Sequence, residues 1–397
     1  MTKYLLIICY IKKGVLNMKK IILSIISIFI IITILIVDNS KVINKEDDNK
    51  IKVNNNLLSM MLETEDNSGV YQTSTLSTWP TEGYKYNPQL SYCENGGTLT
   101  WDEESNAISF NGNKSEKCYI YFDKVITLVN YIISQYTGTQ GDNNIYYHNS
   151  TITDDDGNII DAEDNSYRYA GANADVNNYI CLGSSEVKCP DDNLYRIIGV
   201  FGDNNHGITD QQLVKVIKNT SIGDVAWNTT KSNDWASASL NETLNSTFKT
   251  EKLLEIADEI AEVIWKVSGY NTSAVTAKTA YISEITKATK THTAQIGLMY
   301  ASDYGFATTS NYWTTSLGRY DSTAKNTDWL FLGSYEWVLS PYSSYSNRAW
   351  YVDSRGSVYG GDYNVTGIIA VRPSFYLNQS VQYIKGSGTI SDPIYVK

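Results

Sequence analysis

An uncharged apolar run, Ile21 to Val37 (IILSIISIFIIITILIV), constrains this chain more than any other feature. Its 17 residues make about 26 Å of helix at roughly 1.5 Å per residue, close to the apolar thickness of a bilayer. Lys12, Lys13, Lys19 and Lys20 precede it without an acid and Asp38 follows it. The positive-inside rule therefore expects a cytoplasmic tail over 1–20 and an extracellular chain beyond Asp38. Ile34, Leu35, Ile36 and Val37 lead straight into Asp38, with none of the small residues of a cleavage site, so 21–37 reads as an uncleaved, single-pass signal anchor. Met18-Lys19-Lys20 also resembles the start of such a segment, which would make residues 1–17 an upstream mis-start. A lipoprotein needs a Cys just after the run and a type IV pilin needs a Glu inside it; the run has neither.

Charge narrows the partners. The net charge is −11, yet the first 37 residues hold five Lys and no acid, which leaves 27 basic against 43 acidic residues, a balance of −16. Such a surface repels phosphate backbones, so no nucleic-acid partner is expected. The 31 Tyr against 8 Phe favour rings with a polar tip, suited to contact surfaces that are half dry and half wet.

Beyond the anchor, residues 38–68 are Asn-rich and of mixed charge, with one apolar cluster at Leu57, Leu58, Met60, Met61 and Leu62. They read as a flexible stalk carrying a short helix. Residues 69–123 break into short Thr/Tyr/Trp/Ile segments with turn signals such as Asn111-Gly112, the pattern of a small antiparallel β module. Val125, Leu128, Val129, Ile132 and Ile133 recur at helical spacing, so a connecting helix is expected within 124–139. Residues 140–397 mix both element types. Leu194–Phe201 and Leu213–Ile217 read as strands. Ser239 and Glu242 have capping-box spacing before a Leu240/Leu244/Phe248 stripe, and Thr250 opens a second helix whose face is Leu253, Leu254, Ala257, Ile260, Ala261 and Ile264. The fold class expected is α+β.

Four cysteines, Cys93, Cys118, Cys181 and Cys189, lie beyond the anchor. Outside the cell an even set grouped this way reads as two local bridges, 93 to 118 and 181 to 189, one of the three connectivities four cysteines allow.

The succession NSYRYAGANADVNNYICLG, NLYRIIGVF, DVAWNTT, NDWASASLNETLN, IGLMYASDYGFA, AWYVDSRGSV and VRPSFYL resembles a family of bacterial surface proteins with a C-type-lectin-like carboxy-terminal domain. The segment LSYCENGGTLTWDEESNAISFNGNKSEKCYIYFDK is similar to a module that often precedes that domain. More distantly, Ile369-Ala370-Val371-Arg372-Pro373 resembles the terminal core strand of formylglycine-generating enzymes and of the variable proteins of diversity-generating retroelements. The resemblance implies a lectin-like fold over 140–397 and a surface location, with no set activity.

Catalysis is not expected. Formylglycine-generating enzymes use a cysteine pair in the carboxy-terminal half, and this chain has no cysteine after Cys189. His148, His206 and His292 are far apart in sequence and read as isolated surface residues, and H-E-x-x-H, G-x-S-x-G and G-K-[ST] are absent. No metal ligand set or cofactor is assigned. Asp154-Asp155-Asp156-Gly157-Asn158, with Asp161, Glu163 and Asp164 nearby, could offer oxygen ligands to Ca²⁺, but the Gly comes too early for an EF-hand and a solvated turn is the plainer reading.

Ser340 to Thr366 (SPYSSYSNRAWYVDSRGSVYGGDYNVT) carries the functional expectation. Its Tyr, Ser, Asn, Asp and Gly are the residues of adaptable binding loops. Ala349, Trp350, Val352 and Val358 would hold the ribbon to the core, with Trp350 and Arg372 as scaffold. Tyr342, Tyr345, Asn347, Asp353, Arg355, Tyr359, Asp362 and Tyr363 would face outward to bind an extracellular protein or glycan. The alternatives are a structural envelope protein that only self-associates, and an enzyme on a formylglycine-generating-like scaffold.

Overall fold

The computed structural model describes residues 58–65, 68–74, 79–80, 83–102, 105, 107–112, 116–271, 275–320 and 324–397. The apolar run 21–37 lies outside them, as does the first part of the expected stalk. Among the described residues no helix is long and apolar enough to cross a membrane. The chain divides into two units, Met1–Val125 and Ile126–Lys397.

In the first unit, Leu58, Met60 and Leu62 alternate, and alternation is the period of a strand. They form β1 (Leu58–Glu63), not the short helix of a stalk. β1 lies parallel to β7 (Cys118–Lys124), placing Met60 beside Ile120 and Leu62 beside Phe122. These four and Trp79 make the small core. β2 (Tyr71–Thr73) extends the sheet beyond β1, while β3 (Tyr84–Tyr86) and β4 (Tyr92–Cys93) pair with the other edge of β7. β5 (Thr98–Asp102) and β6 (Ala107–Asn111) form a separate hairpin that lays Trp101 5.4 Å from Phe122. The Cys93–Cys118 disulfide staples β4 to β7; for a loop of that length, chain entropy assigns it about 3.5 kcal/mol. Among the described residues this cluster of five buried side chains is a slight core, so the staple is a large share of what holds them together.

The second unit is mixed, with many strands and few helices, consistent with α+β. It opens with α1 (Leu128–Ser134), capped by Thr127 accepting from Asn130 N, whose Leu128, Val129 and Ile132 enter the main core. The expected connector is therefore part of this unit. β8 (Ile145–Tyr147), β9 (Tyr167–Tyr169), β10 (Tyr179–Cys181), β11 (Leu194–Phe201) and β12 (Leu213–Lys218) follow. β11 and β12 are buried along their whole length, which is why they read as near-continuous apolar runs. The Cys181–Cys189 disulfide ties the end of β10 to the turn before β11. Both bridges join the pairs expected from sequence.

β11 bulges against β12 between Ile197 and Gly199. A Cβ on Gly199 would sit 2.2 Å from Tyr167 O, so only glycine lets β9 approach and set Arg168 over the core.

β13 (Asp224–Ala226) precedes α2 (Ser239–Thr243), which runs on through a π-helical turn, Leu244–Phe248, and a last turn, Lys249–Lys252. Leu240, Leu244 and Phe248 are buried as expected. The capping box does not form: Ala238 is the cap residue, and Ser239 Oγ accepts from Thr229 N instead. Nor does Thr250 start a helix, since its hydroxyl bonds back to Ser246 O. Leu254 is 68% exposed, and Val263–Lys266 is strand β14, paired with β15 (Thr291–Ala294). Here Val263 and Trp265 face inward at period two, overriding the helical spacing of Leu253, Ala257, Ile260 and Ile264.

α3 (Ala277–Tyr281), β16 (Ile296–Gly297), α4 (Ala301–Ala307), β17 (Glu336–Pro341), β18 (Ala349–Val352), β19 (Val358–Tyr359), β20 (Ile368–Ala370), β21 (Ser374–Leu377), β22 (Tyr383–Lys385) and β23 (Ile394–Val396) complete the unit. The main sheet has the order β16-β21-β12-β11-β10-β23-β22, with β9 and β8 joined at β11, and a second sheet runs β13-β20-β17-β18-β19.

Candidate functional site

Side chains alternate across a strand, so neighbours in β18 point to opposite faces. Trp350 takes one face: it stacks on Tyr270 at 4.5 Å and meets the ring of Tyr342 edge-on at 5.5 Å. Tyr345, 52% exposed, stacks outside Tyr342 at 6.1 Å, with the Arg348 guanidinium 4.4 Å from its ring centre. Tyr351 takes the other face, where Tyr363, Tyr335 and Tyr359 gather around it at 5.3, 5.9 and 6.4 Å. The residues expected to form one ligand surface are thus split between two.

Each has its own place. Tyr342 is half-buried and Tyr345 exposed on the first face; Asn347 is half-buried in the turn between β17 and β18, its carbonyl accepting from Val365 N. Tyr359 and Tyr363 are half-buried on the second face, and the Tyr359 hydroxyl is taken up by Gly318 O at 3.1 Å. Asp362 is exposed. Asp353 corrects the expectation outright, being only 3% exposed. Its Oδ1 accepts from Arg355 N and Ser357 N, both at 2.9 Å, and its Oδ2 holds the Arg355 side chain. It builds the β18–β19 turn, and Arg355, though exposed, is pinned to it. Asp353→Ala is expected to lower stability by about 1–3 kcal/mol and leave ligand contacts on the first face intact. Urea unfolding checks this, and an unchanged midpoint would return Asp353 to the binding surface.

Ala349, Trp350, Val352 and Val358 are buried and hold the ribbon, and Arg372 is a buried scaffold residue. Arg372 Nε and Nη2 donate to Glu336 Oε1 and Oε2 at 2.7 and 2.8 Å.

The first face borders a cleft of about 350 Å³. One wall is Pro341, Tyr342, Ser343 and Ser346; the others are Asn233-Asp234, Val267-Ser268-Gly269 and Thr289-Lys290. Asn233 Nδ2 donates to the carbonyls of Tyr342, Tyr345 and Arg348, so this one carboxamide shapes the rim. Ser268 Oγ accepts from Thr289 N and Lys290 N and fixes the far wall. A Cβ on Gly269 would meet Pro341 O at 2.9 Å, which explains the glycine where the walls converge. Exposed Asp234 and Lys290 put both charge signs at the mouth. The lining offers hydroxyls, amides and a tyrosine face, chemistry suited to a polar, hydroxylated or peptidic ligand. Asn233, Ser268 and Lys290 went unrecognised in the sequence, because three segments remote from the ribbon supply them.

A second constellation lies inside the unit. Arg168 Nη2 donates to Asp164 Oδ2 at 2.7 Å, its Nη1 lies 3.7 Å from Asp303 Oδ1, and Lys215 Nζ donates to Asp303 Oδ2 at 2.6 Å. Burial pushes the Asp164 carboxyl up, but Arg168, with the donors Ser166 and Asn205, holds it well below the usual carboxylate range. Glu284, also buried, accepts from Ala301 N, Ser302 N and Ser340 Oγ, and burial raises its pKa.

The acidic stretch is likewise engaged. Asp154 accepts from Asp156 N and Asn158 N in a turn, Asp161 is buried and caps Ser150, Ile152 and Glu163 amides, and Glu163 pairs with Lys278 at 2.6 Å. Among the described residues no group of three or more His, Cys, Asp or Glu side chains is placed to hold a metal ion. Two histidines are not on the surface: His148 and His206 are both fully buried. His148 Nδ1 accepts from Ala162 N, and burial followed by the Arg168 charge pushes its pKa well below the ordinary value, so the ring is neutral. His206 spans Phe201 O and Ile208 N.

No family model, curated protein or solved structure matches this chain.

Proposed function

We propose that this is a membrane-anchored extracellular binding protein, its amino terminus cytoplasmic, which takes a protein or glycan ligand at the Tyr342–Tyr345 cleft of a C-type-lectin-like domain. The carrying observation is the half-exposed Tyr345 ring stacked on Tyr342 at the rim of a polar cleft. An exposed aromatic held rigid by a second ring loses little entropy on contact and offers a ring face to a sugar or side chain. Binding without chemistry is the preferred reading because, apart from Tyr342, the only ionisable residues lining the cleft among the described residues are Asp234 and Lys290. The two disulfides support an extracellular setting.

The test is a glycan array and a panel of cell-surface proteins probed with the full chain, beside Tyr345→Ala and Tyr363→Ala. An aromatic hot spot contributes at least about 2 kcal/mol, so Tyr345→Ala should weaken binding roughly 30-fold or more, while Tyr363→Ala on the opposite face should leave it near the parent. The reverse pattern would move the site to the Tyr351 face.

A further inference from the structure

Lys215 interrupts the apolar run Leu213–Ile217 of β12 and is as deeply buried as its neighbours, with its side chain 1% exposed against 3% for Asp303. Among the described residues its ammonium has one oxygen partner, Asp303 Oδ2 at 2.6 Å. Four ring faces lie around it: Tyr300 at 4.4 Å, Trp265 at 5.3 Å, Tyr376 at 5.4 Å and Phe201 at 5.9 Å from Nζ. An ammonium carries three donors, and a single carboxylate oxygen is a poor exchange for its hydration. Asp303 is held just as firmly, at the start of α4, where Oδ2 also accepts from Tyr300 N at 2.8 Å. Amine and carboxyl are thus fixed in contact in a buried site, with the Arg168 guanidinium 3.7 Å from Asp303 Oδ1.

We propose that Lys215 and Asp303 join in an internal amide cross-link, formed by the folded protein on itself with loss of one water. One ammonium proton passes to the carboxylate, giving a neutral amine and acid. The nitrogen lone pair attacks Cγ, and a second nitrogen proton follows the departing oxygen, which leaves as water. The third stays on the amide nitrogen. Atoms and charge balance, nothing is oxidised, and no co-reactant enters.

Three features of the site favour this step. Burial pushes the Lys215 amine below its ordinary pKa, toward the neutral nucleophile. Oδ2, the oxygen in contact with the amine, takes the proton and departs, so charge develops on Oδ1 as Cγ becomes tetrahedral, and the Arg168 guanidinium lies on that side with Nη1 3.7 Å from Oδ1. Fold-enforced contact replaces an encounter in solution, the largest single advantage an intramolecular reaction has. The product removes two buried charges and ties β12 to α4 across the core, while Arg168 keeps Asp164 as its partner.

A comparison within the chain makes the test sharp. Lys278 and Glu163 also meet at 2.6 Å, but their side chains are 19% and 41% exposed, so water keeps that pair ionic. Purified full-length protein should be denatured, reduced, digested and mapped by mass spectrometry. The expected result is one branched peptide joining Lys215 to Asp303, lighter by one water than the two separate peptides, with Lys278 and Glu163 unlinked. In Lys215→Met the Asp303 peptide should appear alone at its full mass. Separate Lys215 and Asp303 peptides from the folded parent would overturn the proposal and leave an ordinary buried ion pair, whatever the variant does. Linkage at both pairs would overturn the argument from burial.

Discussion

Arg168→Met is expected to destabilise the second unit by about 3–5 kcal/mol at neutral pH, the cost of stranding a buried charge. The substitution keeps much of the side-chain volume among Phe201, Tyr281 and Phe306, whose rings lie 4.7–5.3 Å from the guanidinium. What it removes is the counter-charge of Asp164, which keeps only neutral donors from Ser166 and Asn205. The sign of the pH dependence follows. In the parent the folded Asp164 carboxyl titrates below its unfolded value near 4, so its stabilising contribution is present above about pH 4 and lost as pH falls through the folded value. Without Arg168, burial dominates and raises that carboxyl above its unfolded value, so protonation relieves the variant as pH falls from 7 toward 4. The gap between parent and variant should therefore narrow on acidification, measured as urea midpoints at pH 7 and pH 4.5. An equal gap at both would show that lost packing, not lost charge, sets the cost.

Much of the scaffold was legible because it follows one-dimensional rules. β11 and β12 announce themselves as β-branched runs, α1 as a stripe, the disulfides as neighbours in sequence, and Trp350 and Arg372 as scaffold. Misreadings arose where two periods compete. Polar residues surround β1 and mask its alternation, and the spacing of Ile260 and Ile264 fits a helical turn as well as a strand, so it predicts a helix through Val263 and Trp265. Pairing with β7 and β15 decided both, and pairing is a property of distant residues. In the site, the composition of 340–366 was legible but its two-faced placement was not, although the adjacency of Trp350 and Tyr351 already implies it. The charged core had one available signal, a lysine at the centre of the apolar run Leu213-Val214-Lys215-Val216-Ile217. Nothing local could announce that His148 and His206 are buried, because residues far along the chain cover them.

Arg372→Met should be as costly as Arg168→Met, again about 3–5 kcal/mol, and should also impair the site. Both oxygens of the buried Glu336 carboxylate take their donors from Arg372, and Arg372 Nη2 also reaches Leu330 O. Asp328 leans on the same charge: burial raises its carboxyl, while Leu330 N and Arg372 act to lower it. Glu336 opens β17, pairs with Val352 of β18 and Ala370 of β20, and the strand runs from it directly into Tyr342. An unpaired carboxylate here costs its full desolvation, or shifts β17 until water reaches it, and a shift of β17 carries the Tyr342–Tyr345 rim with it. The double variant Glu336→Met/Arg372→Met separates charge from packing, because removing both partners strands neither charge of the pair. It should recover most of the stability lost in Arg372→Met and, on the reading proposed above, ligand binding as well. If the double variant is no more stable than the single one, the pair matters for its shape, and the rim is positioned by packing alone.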